Sequence, residues 1–321
     1  MGEGGPDPNV QYGPPRRRPG SSCCCCRGAL GPSPISRPNL DPGFCRGGRY
    51  AVTDARTALA QAAERFAFSP TARLDAELLL AHALGIERNA LLLDLTRPAP
   101  DSFWSLVERR ARQEPVAYIT GTRGFWTLDL MVGPGALVPR VDSETLVDAA
   151  LRHFKGRAPA TLLDLGTGPG TLLLALLDEW RETKGLGVDR SPQALRYAVA
   201  NAAACGLADR ARFVCGDWAT GLAGPFDCIV TNPPYIGTAE PLSPEVRDYE
   251  PGTALFAGPD GLDDYRLLAP ELRRLLAPGG AAVVEIGHEQ AASVTALLEA
   301  EGLAVTLHRD LGGRPRALLA H

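Results

Sequence analysis

The second half of the chain alternates short apolar runs with longer segments in which apolar residues recur at helical spacing. Short, continuously apolar runs are typical of parallel strands that are buried on both faces. The alternation predicts an α/β fold with a Rossmann-like, doubly wound and mostly parallel sheet, in which one of the two closing strands is antiparallel. The predicted strands cover 161–165, 185–189, 211–215, 226–231, 280–286, 303–308 and 314–320, and the predicted helices cover 170–181, 192–205, 262–276 and 289–301.

Helical periodicity dominates an earlier segment, residues 50–114, which we predict to be a small helical domain. Leu74, Leu78 and Ala81 recur at helical spacing after Pro70, a residue type favoured at the start of helices. The segment carries no catalytic signature of its own. It is therefore either a packing domain or a module that recognises a macromolecular substrate.

Residues 115–141 alternate β-branched or aromatic residues with glycine, and we predict a β-hairpin linker there. Its first strand would run over 116–120, and the glycines within 121–124 would supply its turn. The remaining residues, 142–321, would form the catalytic domain that contains the sheet.

The first 49 residues differ from the rest in composition, with ten Gly, nine Pro and no hydrophobic periodicity. Such a segment buries too little apolar surface to offset the entropy lost on ordering, so we predict a disordered, low-complexity extension over 1–49. Five of the eight cysteines lie there, four of them consecutive, and no paired CxxC or histidine partner of a metal site follows them. We therefore predict no metal site, and the cysteine usage fits a reducing cytoplasm.

Charge is distributed unevenly along the chain, which has 33 basic and 37 acidic residues in all. The first 49 residues carry seven Arg and three acidic residues, which leaves 26 basic and 34 acidic residues for the rest. An acidic body argues against extensive contact with a phosphate backbone. No apolar run approaches the roughly 18 residues of a membrane span. We expect neither direct nucleic-acid binding nor a membrane segment.

A glycine-rich turn follows the first predicted strand of the sheet and precedes a helix, where a ligand can approach the backbone closely. It comprises Gly166, Thr167, Gly168, Pro169 and Gly170. NAD-dependent enzymes share this type of turn, but the preceding Asp164 would repel a pyrophosphate and attract an ammonium or sulfonium group. Pro169 also removes one N–H donor from the turn. The turn therefore favours S-adenosylmethionine over a dinucleotide as cofactor.

Two residues at the ends of later strands support this prediction. Asp189 closes the strand after the turn, where a carboxylate can accept hydrogen bonds from both ribose hydroxyls. Trp218 follows the third strand, where an aromatic ring can contact an adenine. Because the carboxyl ends of parallel strands meet at one edge of a sheet, we expect both residues to lie beside the glycine-rich turn.

The fourth predicted strand ends in Asn232-Pro233-Pro234-Tyr235. The two prolines fix the backbone and remove two N–H donors, which leaves the Asn232 side-chain oxygen and the Pro233 carbonyl as rigid acceptors. A planar NH2 group has two N–H donors to match them, and Tyr235 can stack on the flat group that carries it. The segment predicts a site that holds an amide or an exocyclic amine. A proline-rich turn without chemistry is the alternative.

From about Tyr50 to His321 the chain resembles the bacterial release factor glutamine methyltransferases. The matching segments are 114–121, 138–144, 164–168, 232–235, 249–251, 254–255, 260–262 and 285–287. The chain departs from the family at Val141, a position that is often Pro, and at Pro169, which is not the most usual residue of the turn. Neither departure puts the implied chemistry in doubt.

The resemblance implies an N-terminal helical domain that engages a peptide chain release factor, and a Rossmann-like domain that binds S-adenosylmethionine. It implies methyl transfer to the side-chain amide nitrogen (N5) of the glutamine in the factor's Gly-Gly-Gln loop, which supports translation termination. We expect a cytoplasmic monomer. Two alternatives stay open: an N-methyltransferase that acts on an exocyclic amine of DNA adenine or rRNA guanine, and a non-catalytic binding protein that retained the fold.

The resemblance also assigns roles to individual residues. The implied cofactor contacts are Gly166, Thr167, Gly168, Pro169, Gly170, Asp189, Trp218 and Asn232. The implied substrate contacts are Asn232, Pro233, Pro234 and Tyr235, of which Asn232, Pro233 and Tyr235 are the implied catalytic residues. We predict no general base, because a methylated amide nitrogen becomes acidic and can lose its proton late.

Overall fold

The computed structural model describes residues 53–321, and the predicted disordered extension over 1–49 lies outside them. The described residues form a helical bundle, a two-stranded hairpin and a seven-stranded sheet with helices on both faces. No helix within residues 53–321 is long and apolar enough to cross a membrane.

The first five helices form a bundle with its own hydrophobic core. They are α1 (Ala55–Arg65), α2 (Ala72–Leu84), α3 (Arg88–Leu93), α4 (Asp101–Ala111) and α5 (Val116–Thr120). Asp54 caps α1, since its side chain accepts a hydrogen bond from the Thr57 N–H at 2.8 Å. Phe66, Leu80 and Phe103 are completely buried in the core, so the bundle is stabilised mainly by apolar packing.

Helix α2 buries both apolar and charged side chains. Leu74 is exposed, whereas Leu79 and Leu80 are buried against the other helices. The buried face also includes Asp75, whose carboxylate pairs with Arg110 of α4 at 2.8 Å. Leucines lie on both sides of this helix and a carboxylate lies on its buried side, so apolar spacing alone does not define the buried face.

The β-hairpin is present, but its position differs from the prediction. Its strands are β1 (Thr122–Phe125) and β2 (Leu128–Met131), paired antiparallel. Residues 116–120, predicted as the first strand, form α5 instead, and the hairpin turn is made by Trp126 and Thr127. Gly121 ends α5 with φ of 77°, so the glycine predicted to form the hairpin turn is a helix C-cap.

The rest of the described chain builds the large sheet and the helices that cover it. The strands are β3 (Thr161–Leu165), β4 (Lys184–Asp189), β5 (Ala211–Cys215), β6 (Phe226–Thr231), β7 (Leu276–Glu285), β8 (Val305–Arg309) and β9 (Pro315–Ala320). The helices are α6 (Glu144–His153), α7 (Thr171–Glu179), α8 (Pro192–Ala204), α9 (Pro244–Tyr249), α10 (Asp263–Leu275) and α11 (Ala291–Ala300). The sequence pattern locates all of these except α6 and α9, and it places the start of β7 later than Leu276.

The strand order is β5-β4-β3-β6-β7-β9-β8, and every neighbouring pair is parallel except the two that β9 makes. This confirms the predicted α/β class and the single antiparallel closing strand. The chain moves outward from β3 to β5 and returns to the other side of β3 at β6. This reversal places a crevice at the carboxyl ends of β3 and β6, where open α/β sheets bind ligands.

Two hydrophobic cores hold the helices to the sheet. One lies under α6, α7 and α8 and includes Leu162, and the other lies under α10 and α11 and includes Leu163. Successive residues of β3 thus enter opposite cores, which accounts for the continuous apolar run. Cys228 is buried in the first core, whereas Cys215 is exposed at the end of β5.

Candidate active site

Most residues predicted to contact the cofactor meet in one cavity of about 510 Å³ at the carboxyl edge of the sheet. Its size lies within the range of small-molecule sites, roughly 300–1,000 Å³. The predicted site residues that line it are Gly166, Thr167, Gly168, Pro169, Asp189, Trp218, Asn232 and Pro234. Gly170 was also predicted to contact the cofactor, but it is buried and does not line this cavity.

Gly166 and Gly170 adopt left-handed backbone conformations for different reasons. Gly166 has φ of 75°, and a Cβ atom there would lie 3.1 Å from the Trp218 ring. Gly170 has φ of 87° and precedes α7, where a Cβ atom would lie 2.9 Å from the Leu174 side chain. Gly166 therefore shapes the cavity, whereas Gly170 allows α7 to pack closely.

Asp164 is buried beneath the glycine-rich turn and lines the cavity. Its Oδ2 accepts hydrogen bonds from the Thr167 hydroxyl at 2.7 Å and the Leu173 N–H at 3.2 Å. Its Oδ1 has no partner among residues 53–321, and burial raises the pKa of the carboxyl to about 7. A buried acceptor without a partner is costly, so a ligand with a cationic donor would be stabilised here.

Asp189 holds the turn in place from the end of β4. Its carboxylate accepts hydrogen bonds from the N–H groups of Gly168 and Ser191, each at 2.8 Å. Each carboxylate oxygen retains a further lone pair, and the residue lines the cavity. Asp189 can therefore fix the turn and still accept the hydroxyl groups of a ligand.

Trp218 lies beside Gly166 of the turn and is held by a residue of α10. Its indole N–H donates to the Asp264 carboxylate at 3.2 Å, and burial raises the pKa of Asp264. Asp264 also lines the cavity. The sequence pattern does not single out Asp264. Helical periodicity predicts a helix there but does not show that its first turn lies at the edge of the sheet where the cavity is.

These residues fit S-adenosylmethionine, which carries an ammonium and a sulfonium. The unpartnered oxygen of Asp164 suits the ammonium, Asp189 suits ribose hydroxyls, and Trp218 supplies an aromatic wall. The Gly168 N–H, which a phosphate-binding turn would offer to its ligand, is already bonded to Asp189. The cavity therefore favours a cationic ligand over a pyrophosphate.

A second cavity of about 260 Å³ adjoins the first and shares part of its lining. The shared residues are Leu137, Arg140, Asn232 and Ala254. Pro234 lines the first cavity, whereas Tyr235 lines the second. The Asn-Pro-Pro-Tyr segment thus forms part of the wall between the cavities, where a group can pass from one bound molecule to another.

Asn232 is half-buried in this wall. Its Nδ2 donates to the Ser143 hydroxyl at 3.4 Å, and its Oδ1 has no hydrogen-bond partner within the described part of the chain. Pro233 is buried and lines neither cavity, so the role predicted for its carbonyl stays a prediction. The Tyr235 carbonyl accepts from Gln290 Nε2 at 2.9 Å, which anchors the segment.

Arg140 and Glu250 form an ion pair in the same wall, with Nη2 2.6 Å from Oε1. Arg140 lines both cavities, and Glu250 is buried behind it. Burial raises the pKa of Glu250, and Arg140 opposes this effect. The sequence assigns neither residue a role, although both lie in segments that carry the family resemblance, 138–144 and 249–251.

Two family models match the chain. The PrmC N-terminal domain model matches residues 57–121, and a methyltransferase domain model matches residues 158–305. A release factor glutamine methyltransferase from Rhodospirillum rubrum is 48% identical over 255 residues, which cover 77% of this chain and 78% of that protein. The chain belongs to the release factor glutamine methyltransferase family.

Other members of the release factor glutamine methyltransferase family are similarly close. The relative from Caulobacter vibrioides is 45% identical over 77% of this chain and 88% of its own length. The relative from Bradyrhizobium diazoefficiens is 44% identical over 84% of this chain and 94% of its own length. The predicted family, fold class and S-adenosylmethionine cofactor are confirmed. The predicted domain bounds and the roles of individual site residues stay predictions.

Proposed function

We propose that this protein transfers a methyl group from S-adenosylmethionine to the side-chain amide nitrogen (N5) of the glutamine in the Gly-Gly-Gln motif of a peptide chain release factor. The observation that carries the proposal is Asn232, whose unpartnered amide oxygen belongs to the wall between two cavities among the described residues. Relatives named release factor glutamine methyltransferase support the same substrate.

The larger cavity would hold the cofactor, and the smaller cavity would hold the glutamine side chain. When bound, S-adenosylmethionine supplies a methyl group attached to a positively charged sulfur. Asp164 would bind the ammonium group, Asp189 the ribose hydroxyls, and Trp218 the adenine. The Gly166 and Gly168 backbone would leave room for the ligand to approach the turn.

Asn232 and Pro233 would orient the target amide. An amide nitrogen is a weak nucleophile because its lone pair is delocalised into the carbonyl, so its position relative to the methyl group decides the rate. The Asn232 oxygen and the Pro233 carbonyl are two acceptors for the two N–H donors of the amide. Positioning of this kind lowers a barrier by roughly 7–11 kcal/mol in well-oriented systems. Tyr235 would stack on the flat amide.

The proposed reaction needs no strong general base. Methyl transfer leaves the amide nitrogen positively charged with two N–H bonds, and this strongly acidic nitrogen loses one proton to water. The described residues that line the smaller cavity include no Asp, Glu or His. Burial raises the pKa of Tyr235 to about 12, so its hydroxyl stays protonated near neutral pH.

We infer that the helical bundle engages the release factor. Arg110 of α4 pairs with Glu245 of α9 at 2.9 Å, and the Tyr249 hydroxyl donates to the Arg112 carbonyl at 2.9 Å. Helix α9 also supplies Val246 to the smaller cavity. The bundle thus contacts the segment beside the proposed glutamine site, which suits a protein substrate. We further infer that the protein acts as a monomer in the cytoplasm.

A methyl-transfer assay with labelled S-adenosylmethionine tests the substrate class. Unmethylated release factor, duplex DNA and ribosomal RNA are offered in parallel, and we expect label in the release factor alone. Label in nucleic acid without label in the release factor would overturn the glutamine substrate in favour of an exocyclic amine. Cofactor binding without transfer to any of the three would favour a non-catalytic binding protein.

A further inference from the structure

Asn232 is backed by two buried residues from different parts of the chain. Ser143 ends the 3-10 turn before α6 and is 2% exposed, and Glu285 ends β7 and is 1% exposed. The Ser143 hydroxyl accepts from Asn232 Nδ2 at 3.4 Å, and the Ser143 side chain lies close enough to the Glu285 carboxyl to lower the pKa of that carboxyl. A row of three polar side chains therefore runs from the protein interior to the wall between the cavities.

We propose that Ser143 and Glu285 are positioning residues that set which atom of the Asn232 amide faces the substrate, and that protonation of Glu285 reverses this choice. The inference rests on the proposed function, because it concerns the NH2 group that Asn232 would hold. It adds a pH-dependent control of the orientation of that one side chain.

The ionised form of Glu285 fixes the productive orientation. A carboxylate only accepts hydrogen bonds, so the Ser143 hydroxyl donates its single proton to Glu285. The Ser143 oxygen then has lone pairs alone to offer, and it accepts from the NH2 of Asn232. This turns Oδ1 of Asn232 towards the substrate, as the proposed function requires. The 3.4 Å separation fits a site without substrate, in which hydrogen bonds are often long.

The protonated form of Glu285 permits the opposite orientation. Its O–H can donate to Ser143, whose own hydroxyl is then available to donate to Oδ1 of Asn232. The Asn232 amide turns over and presents its NH2 to the NH2 of the substrate, so two donors face each other. The target amide loses one of its two acceptors, and turnover falls.

The surroundings of Glu285 place this change near neutral pH. Burial raises the pKa of Glu285 to about 7, and its Oε2 has no partner among residues 53–321. Arg316 of β9 is the nearby cation, but its guanidinium is shared between Asp142 at 3.2 Å and Asp310 at 3.7 Å. The positive charge of Arg316 therefore compensates the Glu285 carboxylate incompletely.

Other titratable groups face Glu285 from the elements packed around it. Tyr235 follows β6 and Tyr265 lies on α10, and burial raises the pKa of both, so both stay neutral near pH 7. Arg140, before α6, is paired with Glu250. Burial raises the pKa of Glu250 as well. A substitution of Glu285 itself is therefore needed to attribute the pH dependence of kcat to Glu285.

The test is the pH dependence of kcat for methyl transfer to the release factor, with both substrates saturating. The parent should lose about tenfold in kcat between roughly pH 8 and pH 6, as expected for one proton binding to a group with a pKa of about 7. Glu285→Gln and Ser143→Ala should each flatten this profile. Ser143→Thr keeps the hydroxyl and should show the same pH profile as the parent. Glu299→Gln changes an exposed glutamate of α11 and should behave like the parent.

A second readout needs no turnover. A Gly-Gly-Gln peptide should bind about tenfold more tightly at pH 8 than at pH 6 in the presence of S-adenosylhomocysteine, and this difference should vanish in Glu285→Gln. Burial also raises the pKa of Asp164 to about 7, but its protonation would change cofactor affinity, which calorimetry reports separately.

A fall in kcat from pH 8 to pH 6 that persists unchanged in Glu285→Gln and Ser143→Ala would overturn the inference. A parent protein whose kcat does not change between pH 6 and pH 8 would also overturn it. Failure of the parent to methylate the release factor at every pH would instead contradict the proposed function.

Discussion

At the scale of single residues, Asn232 combines two roles in one amide group. Its nitrogen is held by Ser143, while its oxygen stays without a partner among the described residues in a wall shared by two cavities. A half-buried side chain with one long hydrogen bond contributes little to the free energy of unfolding. A role in substrate binding and catalysis therefore explains Asn232 at this position better than a contribution to folding stability does.

Replacing Asn232 with Ala should lower kcat by about 100-fold or more, because the target amide loses an acceptor and is misplaced relative to the methyl group. Cofactor affinity should change by less than about tenfold, the effect of one hydrogen bond. Single-turnover methyl transfer and calorimetry measure the two quantities. Asn89→Ala, an exposed change on α3, is the control. Equal single-turnover rates for Asn232→Ala and the parent would contradict the role.

Replacing Asp189 with Ala should weaken cofactor binding by roughly 10- to 100-fold, since hydrogen bonds to a charged group are worth about 1.5–3 kcal/mol each. The variant removes the proposed ribose acceptor and the anchor of the Gly168 N–H. Calorimetric titration with S-adenosylmethionine measures the change, with the exposed Asp209→Ala as a control. Unchanged affinity would refute the ribose assignment.

The sequence shows some site residues and conceals others for a physical reason. Asn232, Asp189 and Trp218 lie at or just after strand ends, and the carboxyl ends of parallel strands meet at one edge. Ser143 lies in a 3-10 turn remote from any strand, so only the folded chain brings it to Asn232. Glu285 is an acidic residue at the end of a strand, as Asp189 is, but its side chain is buried in the interior.

At the scale of secondary-structure elements, the Asn-Pro-Pro-Tyr segment after β6 is supported by the turn before α10. Gln290 donates to the carbonyls of Tyr235 at 2.9 Å and Gly261 at 3.2 Å, which ties the two segments together. Gly261 has φ of 70°, and a Cβ atom there would lie 2.3 Å from the Tyr235 carbonyl oxygen. Close contact between these two segments thus requires glycine.

Gly261→Ala should therefore be more harmful than the same change at Gly302, which has φ of 79° but open space within 4 Å of where a Cβ atom would lie. Left-handed strain alone should lower the free energy of unfolding by about 1–2 kcal/mol in Gly302→Ala. Overpacking should add roughly 1–3 kcal/mol in Gly261→Ala and should also reduce kcat. Urea denaturation and methyl transfer measure both effects. Equal effects of the two variants would show that close packing at Gly261 is unimportant.

Apart from α6, which has ten residues, the elements that the sequence misses or misplaces are short and depend on their neighbours. Helix α5 contains Val116, Ile119 and Thr120, whose β-branched side chains favour strands. Tyr118 of α5 donates to the Ala136 carbonyl at 2.6 Å, and such tertiary contacts override local propensity. The long strands and helices around the sheet are predicted well, because their apolar periodicity extends over many residues.

At the scale of the whole molecule, a buried ion cluster joins the helical bundle to the sheet domain. Arg110 of α4 contacts Asp75 of α2 at 2.8 Å and Glu245 of α9 at 2.9 Å, and its side chain is 4% exposed. In the sequence, these buried charged residues look the same as charged residues on a solvent-exposed face of a helix. The association of the two parts of the molecule was therefore outside what the hydrophobic pattern could predict.

Arg110→Ala should lower the free energy of unfolding by roughly 3–5 kcal/mol, because it leaves the buried Asp75 carboxylate uncompensated. Arg65→Ala removes the exposed pair with Glu108 and should lower the free energy of unfolding far less, because solvent screens that pair. Urea denaturation of both variants measures the difference. A loss below about 1 kcal/mol for Arg110→Ala would show that the cluster does not stabilise the fold.

The smaller cavity beside Asn232 is proposed to receive a glutamine amide of a release factor, and the whole mechanism depends on this assignment. The most direct measurement is mass mapping of the methylated release factor, with fragmentation that places the methyl group on a single atom. We predict one methyl group on the side-chain amide nitrogen of the Gly-Gly-Gln glutamine, and none when that glutamine is replaced by alanine. A methyl group on any other residue, or unchanged methylation of the alanine-substituted factor, would contradict the assignment.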